Sequence, residues 1–140
     1  MKHPAVEKFI QYFEYLDPTS SNDLSDFYDD ELIFEDPMHR IEGRKNLVAY
    51  FQKLNANLKS GRFTFHTKDV TSHKAYLEWT MEVELKRPSG KKIVADGISV
   101  LTFDQKITAQ RDYFDAGQMF YEGIPLLGGI IRWIKRKIAG

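Results

Sequence analysis

The chain has 140 residues, no cysteine, and twenty basic residues that balance twenty acidic ones. Zero net charge gives no overall attraction to nucleic acid, and the lack of cysteine excludes disulfides, thiolate metal sites and cysteine nucleophiles. No apolar run approaches the roughly 18 residues that span a bilayer, and the first residues do not read as a signal peptide. We therefore expect a single domain, residues 1–140, in the cytoplasm.

The N-terminal third carries helix signals on both sides of one short strand. Apolar residues recur at three- and four-residue steps over residues 6–16, which predicts an amphipathic helix. A cap at Ser21 or Asn22 predicts a short second helix that runs through Tyr28. The run "ELIFEDP" predicts a strand that Pro37 stops, and "GRKNLVAYFQKLNANL" predicts a long amphipathic helix.

After the second long helix the period of the pattern changes from helical to alternating. The runs "RFTFHTKDV", "KAYLEWTMEVELK", "KKIVADGISVLTF" and "KITAQRDYFDA" are rich in β-branched and aromatic residues, and their short links predict antiparallel hairpins. Helices followed by a strand meander predict an α+β fold. We expect a cone-shaped, curved antiparallel sheet packed with N-terminal helices, with an apolar ligand pocket at its open end.

Residues 117–140 are expected to form a C-terminal helical tail. Isoleucines at helical spacing from Ile130 to Ile138, with Trp133 and basic residues around them, make a basic amphipathic helix. Because only about two turns carry the apolar stripe, docking on the protein itself is favoured over contact with a membrane surface.

Asp36 and Tyr12 are the first candidates for chemistry. Asp36 follows an apolar strand and precedes Pro37, a position where an apolar pocket favours general-base chemistry. The commoner interpretation is an aspartate that starts a turn before proline. Tyr12 lies at the margin of the first helical stripe, and it either donates its hydroxyl into a cavity or is an ordinary core tyrosine.

Strand parity separates the two aspartates of "QRDYFDAG". On a strand, Asp112 shares a face with Gln110 and Phe114, whereas Asp115 lies on the other face with Arg111. This parity predicts that Asp112 faces the cavity and that Arg111 and Asp115 form a structural ion pair. The facing of Asp96 and Glu82 stays open.

The histidines give no metal site. They stand at positions 3, 39, 66 and 73 without metal-ligand spacing, and the chain has no nucleotide-binding glycine motif. We expect no metal and no cofactor. His39, after "EDPM", either lines the pocket mouth or lies in a solvated loop.

The order of these motifs resembles the nuclear transport factor 2-like superfamily, SnoaL-like branch, from about Val6 to Asp115. The resemblance implies the cone fold and a homodimer through the sheet, in a superfamily that includes isomerases, cyclases, hydrolases and binding modules. "FEDPMHRIEG" is similar to ketosteroid isomerases, which implies a general base at Asp36 and an oxyanion donor at Tyr12. "QKITAQRDYFDAG" is similar to limonene-epoxide hydrolases, which implies a catalytic acid at Asp112.

The hypothesis from sequence is an acid–base enzyme of isomerase or cyclase type that holds a small apolar metabolite. Asp36 would take a proton, Tyr12 would donate to a developing oxyanion, and Asp112 would be a second acid or an orienting acceptor. The alternatives are a ligand-binding module without chemistry and a dimeric adaptor; no nucleic-acid partner is expected. The predicted ligand-binding residues are Phe9, Phe34, His39, Phe51, Trp79, Ser99 and Phe114.

Overall fold

The computed structural model describes residues 1–17 and 23–115, which form two helices and six strands. The predicted cap at Ser21 or Asn22 and the predicted tail therefore lie outside the described residues. The elements, in chain order, are α1 (Pro4–Glu14), β1 (Tyr28–Glu35), β2 (Arg40–Glu42), α2 (Arg44–Asn55), β3 (Leu58–Val70), β4 (Lys74–Leu85), β5 (Lys92–Phe103) and β6 (Ile107–Phe114).

The six strands form one curved, open sheet in the order β2-β1-β6-β5-β4-β3. Strands β3 to β6 are the predicted antiparallel meander, and the α+β class is confirmed. The sheet is nevertheless mixed, because β1 pairs parallel with β6. A long connection through α2 and the meander separates these two strands, so no tight turn forces them to be antiparallel.

Ion pairs fasten the parallel pair of β1 and β6 at its end. Glu35 is opposite Arg111 in the parallel register and forms an ion pair with its guanidinium group. Arg40 reaches the other oxygen of Glu35 at 2.8 Å. The sequence predicted Asp115 as the partner of Arg111; the structure gives Arg111 an ion pair with Glu35, through a register that no sequence period reveals.

The segment before β1 differs from the predicted second helix. Residues 25–27 form a turn and Tyr28 already begins β1, so the prediction of a helix through Tyr28 is wrong. The carbonyl of Leu24 accepts hydrogen bonds from the backbone N–H groups of Phe27 and Tyr28. Both aromatic side chains are buried, with ring centroids 4.6 Å apart, and this burial outweighs local helical preference.

The two helices cover the inner face of the sheet. Helix α1 starts at Pro4, where His3 Nδ1 accepts the N–H of Ala5 at 3.2 Å, and it packs against β3. Helix α2 packs against β1, β2 and β3. None of the described helices is long and apolar enough to cross a bilayer. The space between the helices and the sheet holds the core and, toward one end, the cavity described below.

The outer face of the sheet carries the two acids whose facing the sequence left open. Asp96 accepts a hydrogen bond from Thr80 at 2.6 Å, and Glu82 lies 3.4 Å from Arg62; both acids are exposed. The homodimer that the resemblance implies would use this outer face, and it stays a prediction. The exposed large hydrophobic residues on this face include Tyr76, Val94 and Tyr113.

Candidate active site

A partly enclosed cavity of about 160 Å³ lies between the inner face of the sheet and the two helices. This volume is close to that of an engineered cavity of about 150 Å³ that binds benzene, so a ligand of one six-membered ring fits. Six of the seven predicted ligand-binding residues line it, together with Asp36 and Asp112. These six are Phe9, Phe34, Phe51, Trp79, Ser99 and Phe114.

Asp36 lines the cavity just beyond the end of β1 and is only 8% exposed. Its Oδ1 accepts the backbone N–H of Met38 at 2.9 Å and that of His39 at 2.7 Å. The Nδ1 of His39 lies 3.2 Å from the same oxygen. Asp36 therefore fits both interpretations from sequence: it organises the turn after the strand, and it also reaches the cavity.

His39 and Tyr50 form a small polar cluster with Asp36. His39 is not among the described residues that line the cavity; its Nδ1 lies between the carboxylate of Asp36 and the hydroxyl of Tyr50, the latter at 3.5 Å. Tyr50, on α2, does line the cavity. Burial raises the pKa of Tyr50, and the nearby charges of Asp36 and Asp112 add to the increase. Its hydroxyl thus stays protonated and is available as a hydrogen-bond donor.

Asp112 is held by two donors that are themselves oriented. Its Oδ1 accepts the hydroxyl of Ser99 at 2.6 Å and Nε2 of Gln110 at 2.9 Å. The indole N–H of Trp79 donates to Ser99 Oγ at 2.9 Å, and the hydroxyl of Tyr28 donates to Oε1 of Gln110. Because Trp79 can only donate, the Ser99 hydroxyl accepts from it and directs its single proton to Asp112.

The environment of Asp112 favours proton exchange near neutral pH. Burial raises the pKa of Asp112 to about 6; the hydrogen bonds from Ser99 and Gln110 oppose this increase, and the charge of Asp36 adds to it. The described residues give no hydrogen-bond partner to Oδ2, the second oxygen of this carboxyl group. Oδ2 is therefore the atom of Asp112 that is available to take a proton from a ligand.

Tyr12 is not among the described residues that line the cavity. Its ring packs on Phe13, 4.9 Å away, and on Phe27, 5.8 Å away, and its hydroxyl is within hydrogen-bonding reach of Asn55. Burial raises the pKa of Tyr12. One step along a helix rotates the side chain by about 100°, so Phe13 faces the cavity and Tyr12 does not. Of the two tyrosines, Tyr50 is therefore the one whose side chain lines the cavity.

Two polar residues of this site were missed from sequence. Tyr50 belongs to the α2 stripe at three- and four-residue spacing between Leu47 and Leu54, and this periodicity could have found it. Tyr28 was assigned to a helix, so its contact with Gln110 could not be foreseen. Among the described residues, no group of three or more acidic or histidine side chains is arranged to hold a metal ion.

A family model described as "SnoaL-like domain" matches residues 6–110 of the chain. Among curated proteins, none matches the sequence. Many solved structures are similar to it.

Three of these structures cover most of the chain. An LEH-like epoxide hydrolase of Mycobacterium tuberculosis is 20% identical, with a TM-score of 0.67 over 96% of this chain and 92% of its own. A protein provisionally named as a SnoaL-like polyketide cyclase from Shewanella denitrificans is 19% identical, with a TM-score of 0.71 over 84% and 93%. A protein with a ketosteroid isomerase-like fold from Catenulispora acidiphila, solved with trimethylamine, is 14% identical, with a TM-score of 0.71 over 89% and 96%. At these identities the likeness shows a shared fold.

Proposed function

Because this chain belongs to the SnoaL-like domain family, we propose that it is an acid–base enzyme of isomerase or cyclase type acting on a small, largely apolar carbonyl compound. The observation that carries the proposal is Asp112, which has a raised pKa in a largely aromatic cavity and whose Oδ2 has no hydrogen-bond partner in the part of the chain that the structure describes. A group with a pKa near the working pH is well suited to take up a proton and give it back.

The proposed reaction starts with removal of a proton from the carbon next to the carbonyl group. Oδ2 of Asp112 takes this proton, and the electron pair of the C–H bond moves into the carbonyl group to form an enolate. The hydroxyl of Tyr50 donates a hydrogen bond to the enolate oxygen. In an isomerisation the substrate carries a C=C bond next to the acidic carbon, and Asp112 returns the proton to the far carbon of the resulting dienolate as the double bond moves into conjugation; in a cyclisation the enolate carbon attacks a second carbonyl, whose oxygen takes the proton from Asp112.

Asp36 has a different part in this proposal from the base that the resemblance implied. Three donors surround its Oδ1, two from the backbone and one from His39, so the group is fixed in place. Both groups have an engaged Oδ1, and they differ at the second oxygen: Oδ2 of Asp36 lies 3.4 Å from Nδ1 of His39, whereas the described residues give Oδ2 of Asp112 no hydrogen-bond partner. We assign proton transfer to Asp112 and treat Asp36 as a fixed charge at the same cavity.

Proton exchange on a small ketone tests this function without knowledge of the natural substrate. Cyclohexanone fits a cavity of this size, and its α-protons exchange with D₂O in a reaction that proton NMR follows. We expect the protein to accelerate exchange, with a rate that rises with pH through about 6, because Asp112 accepts a proton only when it is ionised. Exchange no faster than that of the Asp112→Asn variant at every pH would contradict the proposal.

Two tyrosine variants distinguish the donor assigned from structure from the donor implied by resemblance. Tyr50→Phe removes the hydroxyl that lines the cavity, and we expect it to slow exchange by about a hundredfold. Tyr12→Phe is the matched control and should keep an exchange rate close to that of the unchanged protein. A large loss in Tyr12→Phe with little loss in Tyr50→Phe would return the donor role to Tyr12.

A further inference from the structure

Among the described residues, the charged side chains that line the cavity are both acidic. Asp36 and Asp112 line it, and no lysine, arginine or histidine is found among the described lining residues. The charge of Asp36 raises the pKa of Asp112, and the charge of Asp112 in turn raises the pKa of Tyr28 and Tyr50; His39 contacts Asp36. The lining residues from α1, β3, β4 and β5 carry no titratable side chain: Phe9, Phe13, Phe63, Phe65, Trp79, Met81, Ala95 and Ser99.

The uncharged part of the wall also favours positive charge. Nine of the lining side chains are aromatic, and their ring faces carry the negative part of a quadrupole. Phe63 and Trp79 meet edge to face at 4.8 Å, and Phe34 lies 6.3 Å from both Tyr50 and Phe51. Such rings attract a cation within about 6 Å of their centres, and they do so more strongly where water is excluded.

We propose that the ligand of this cavity carries a small organic cation, an alkylammonium group that lies against the aromatic rings beside Asp36 and Asp112. The proposal rests on the proposed function for its site and adds the charge of the substrate. It makes the substrate an amino ketone, in which the carbonyl group meets Tyr50 and the ammonium group meets the carboxylates.

A cationic ligand supplies a charge that the described lining residues lack. Two carboxylates at one largely apolar cavity repel each other, and an ammonium group gives both of them a counter-charge. A neutral hydrocarbon gives them none. A carboxylate or phosphate ligand would add a third negative charge in a space of about 160 Å³.

Three ligands of similar shape and different charge test the inference by calorimetric binding. Choline is a permanent cation, 3,3-dimethylbutan-1-ol has the same branched head without charge, and 3,3-dimethylbutanoate is an anion. We expect choline to bind at least about tenfold more tightly than the alcohol, and the butanoate not to bind measurably. If the alcohol binds as tightly as choline, the inference is wrong.

Isosteric variants test whether the two carboxyl groups cause the preference for choline over the alcohol. In the double variant Asp36→Asn with Asp112→Asn, choline should lose most of its advantage over the alcohol and keep only the part that the aromatic rings supply, while the alcohol binds as well as before or better. Asp96→Asn, on the outer face, is the control and should change neither affinity. An undiminished preference for choline in the double variant would overturn the inference.

The pH dependence gives a second readout, because choline keeps its charge at every pH. Its affinity should rise about tenfold between about pH 5 and pH 7 as Asp112 ionises, and the affinity of the alcohol should not rise. The increase should vanish in Asp112→Asn; an increase that persists there would point to His39 and contradict the inference.

Binding and proton exchange are separate measurements, so the two proposals fail separately. A preference for choline without any ketone exchange would retain the cationic ligand and remove the proposed enzyme. Exchange without a preference for choline would do the reverse.

Discussion

Asp112→Asn should slow proton exchange about a thousandfold or more and should at the same time stabilise the folded protein. The loss of activity follows because an amide cannot take the proton that Oδ2 accepts. The gain in stability follows because the variant no longer holds an ionised carboxyl group away from water. The amide oxygen can still accept from Ser99 and Gln110, so the hydrogen bonds that position residue 112 are kept.

The gain in stability should depend on pH in a defined direction. In the fold the pKa of Asp112 is raised to about 6 from the ordinary 3.8, so the folded state binds its proton more tightly than the unfolded state. Well below the ordinary pKa of 3.8 both states are protonated and the carboxyl group costs nothing; stability of the unchanged protein is lost as pH rises from about 4 to about 6, where the unfolded state has released the proton and the folded state still holds it. The difference in proton affinity corresponds to about 3 kcal/mol. Asp112→Asn should therefore be about 3 kcal/mol more stable above about pH 7 and almost unchanged below about pH 4.

Urea unfolding of both proteins at about pH 4 and about pH 8 measures this difference. Asp96→Asn is the control, because Asp96 is exposed on the outer face and accepts its hydrogen bond from Thr80. Its effect should stay within about 0.5 kcal/mol at both pH values. A variant at position 112 that is no more stable than the unchanged protein at pH 8 would show that the ionised carboxyl group is not strained by its surroundings.

The features that could be predicted from the sequence are those that local periodicity determines: the strands, their links and the faces of their side chains. Alternation along β4 and the short links between strands predicted the meander, and the same parity placed Asp112 with Gln110 and Phe114, which all line the cavity. The parallel pairing of β1 with β6 could not be predicted, because the partners are far apart in the chain and no turn fixes their direction.

The differences between the predicted and the observed cavity lining have the same origin. Tyr12 and Phe13 differ by one step on α1, and only the packing of the helix on the sheet decides which of them faces the cavity. Tyr50 lies one position before Phe51, which the sequence analysis did assign to the pocket. A pattern of apolar residues finds the wall of a cavity well, but it does not decide which polar side chain at the margin of that wall points inward.

Gly97→Ala should destabilise the fold by about 3 kcal/mol or more, although it adds a single methyl group on β5. A Cβ at Gly97 would lie 2.4 Å from Cη2 and 2.7 Å from Cζ2 of the Trp79 indole, and 2.8 Å from the backbone oxygen of Tyr113. The indole cannot withdraw without loss of its hydrogen bond to Ser99, and the Tyr113 carbonyl is backbone of the adjacent strand β6. Urea unfolding measures the loss of stability.

Gly90→Ala is the control for this prediction. Gly90 has a φ of +76° and no atom lies within 4 Å of an added Cβ, so only conformational strain of about 1 kcal/mol is expected there.

A double-mutant cycle with Trp79→Phe separates contact with the indole from contact with the backbone. Phenylalanine lacks the second ring that the added methyl group would meet, so Gly97→Ala should cost less in the Trp79→Phe background than alone. The residual cost is that of the Tyr113 carbonyl. Because Trp79 also orients Ser99 toward Asp112, Gly97→Ala should slow proton exchange in the folded protein as well. Equal costs in both backgrounds would show that the indole is not what requires glycine at position 97, and would weaken the link from Trp79 to the geometry of Asp112.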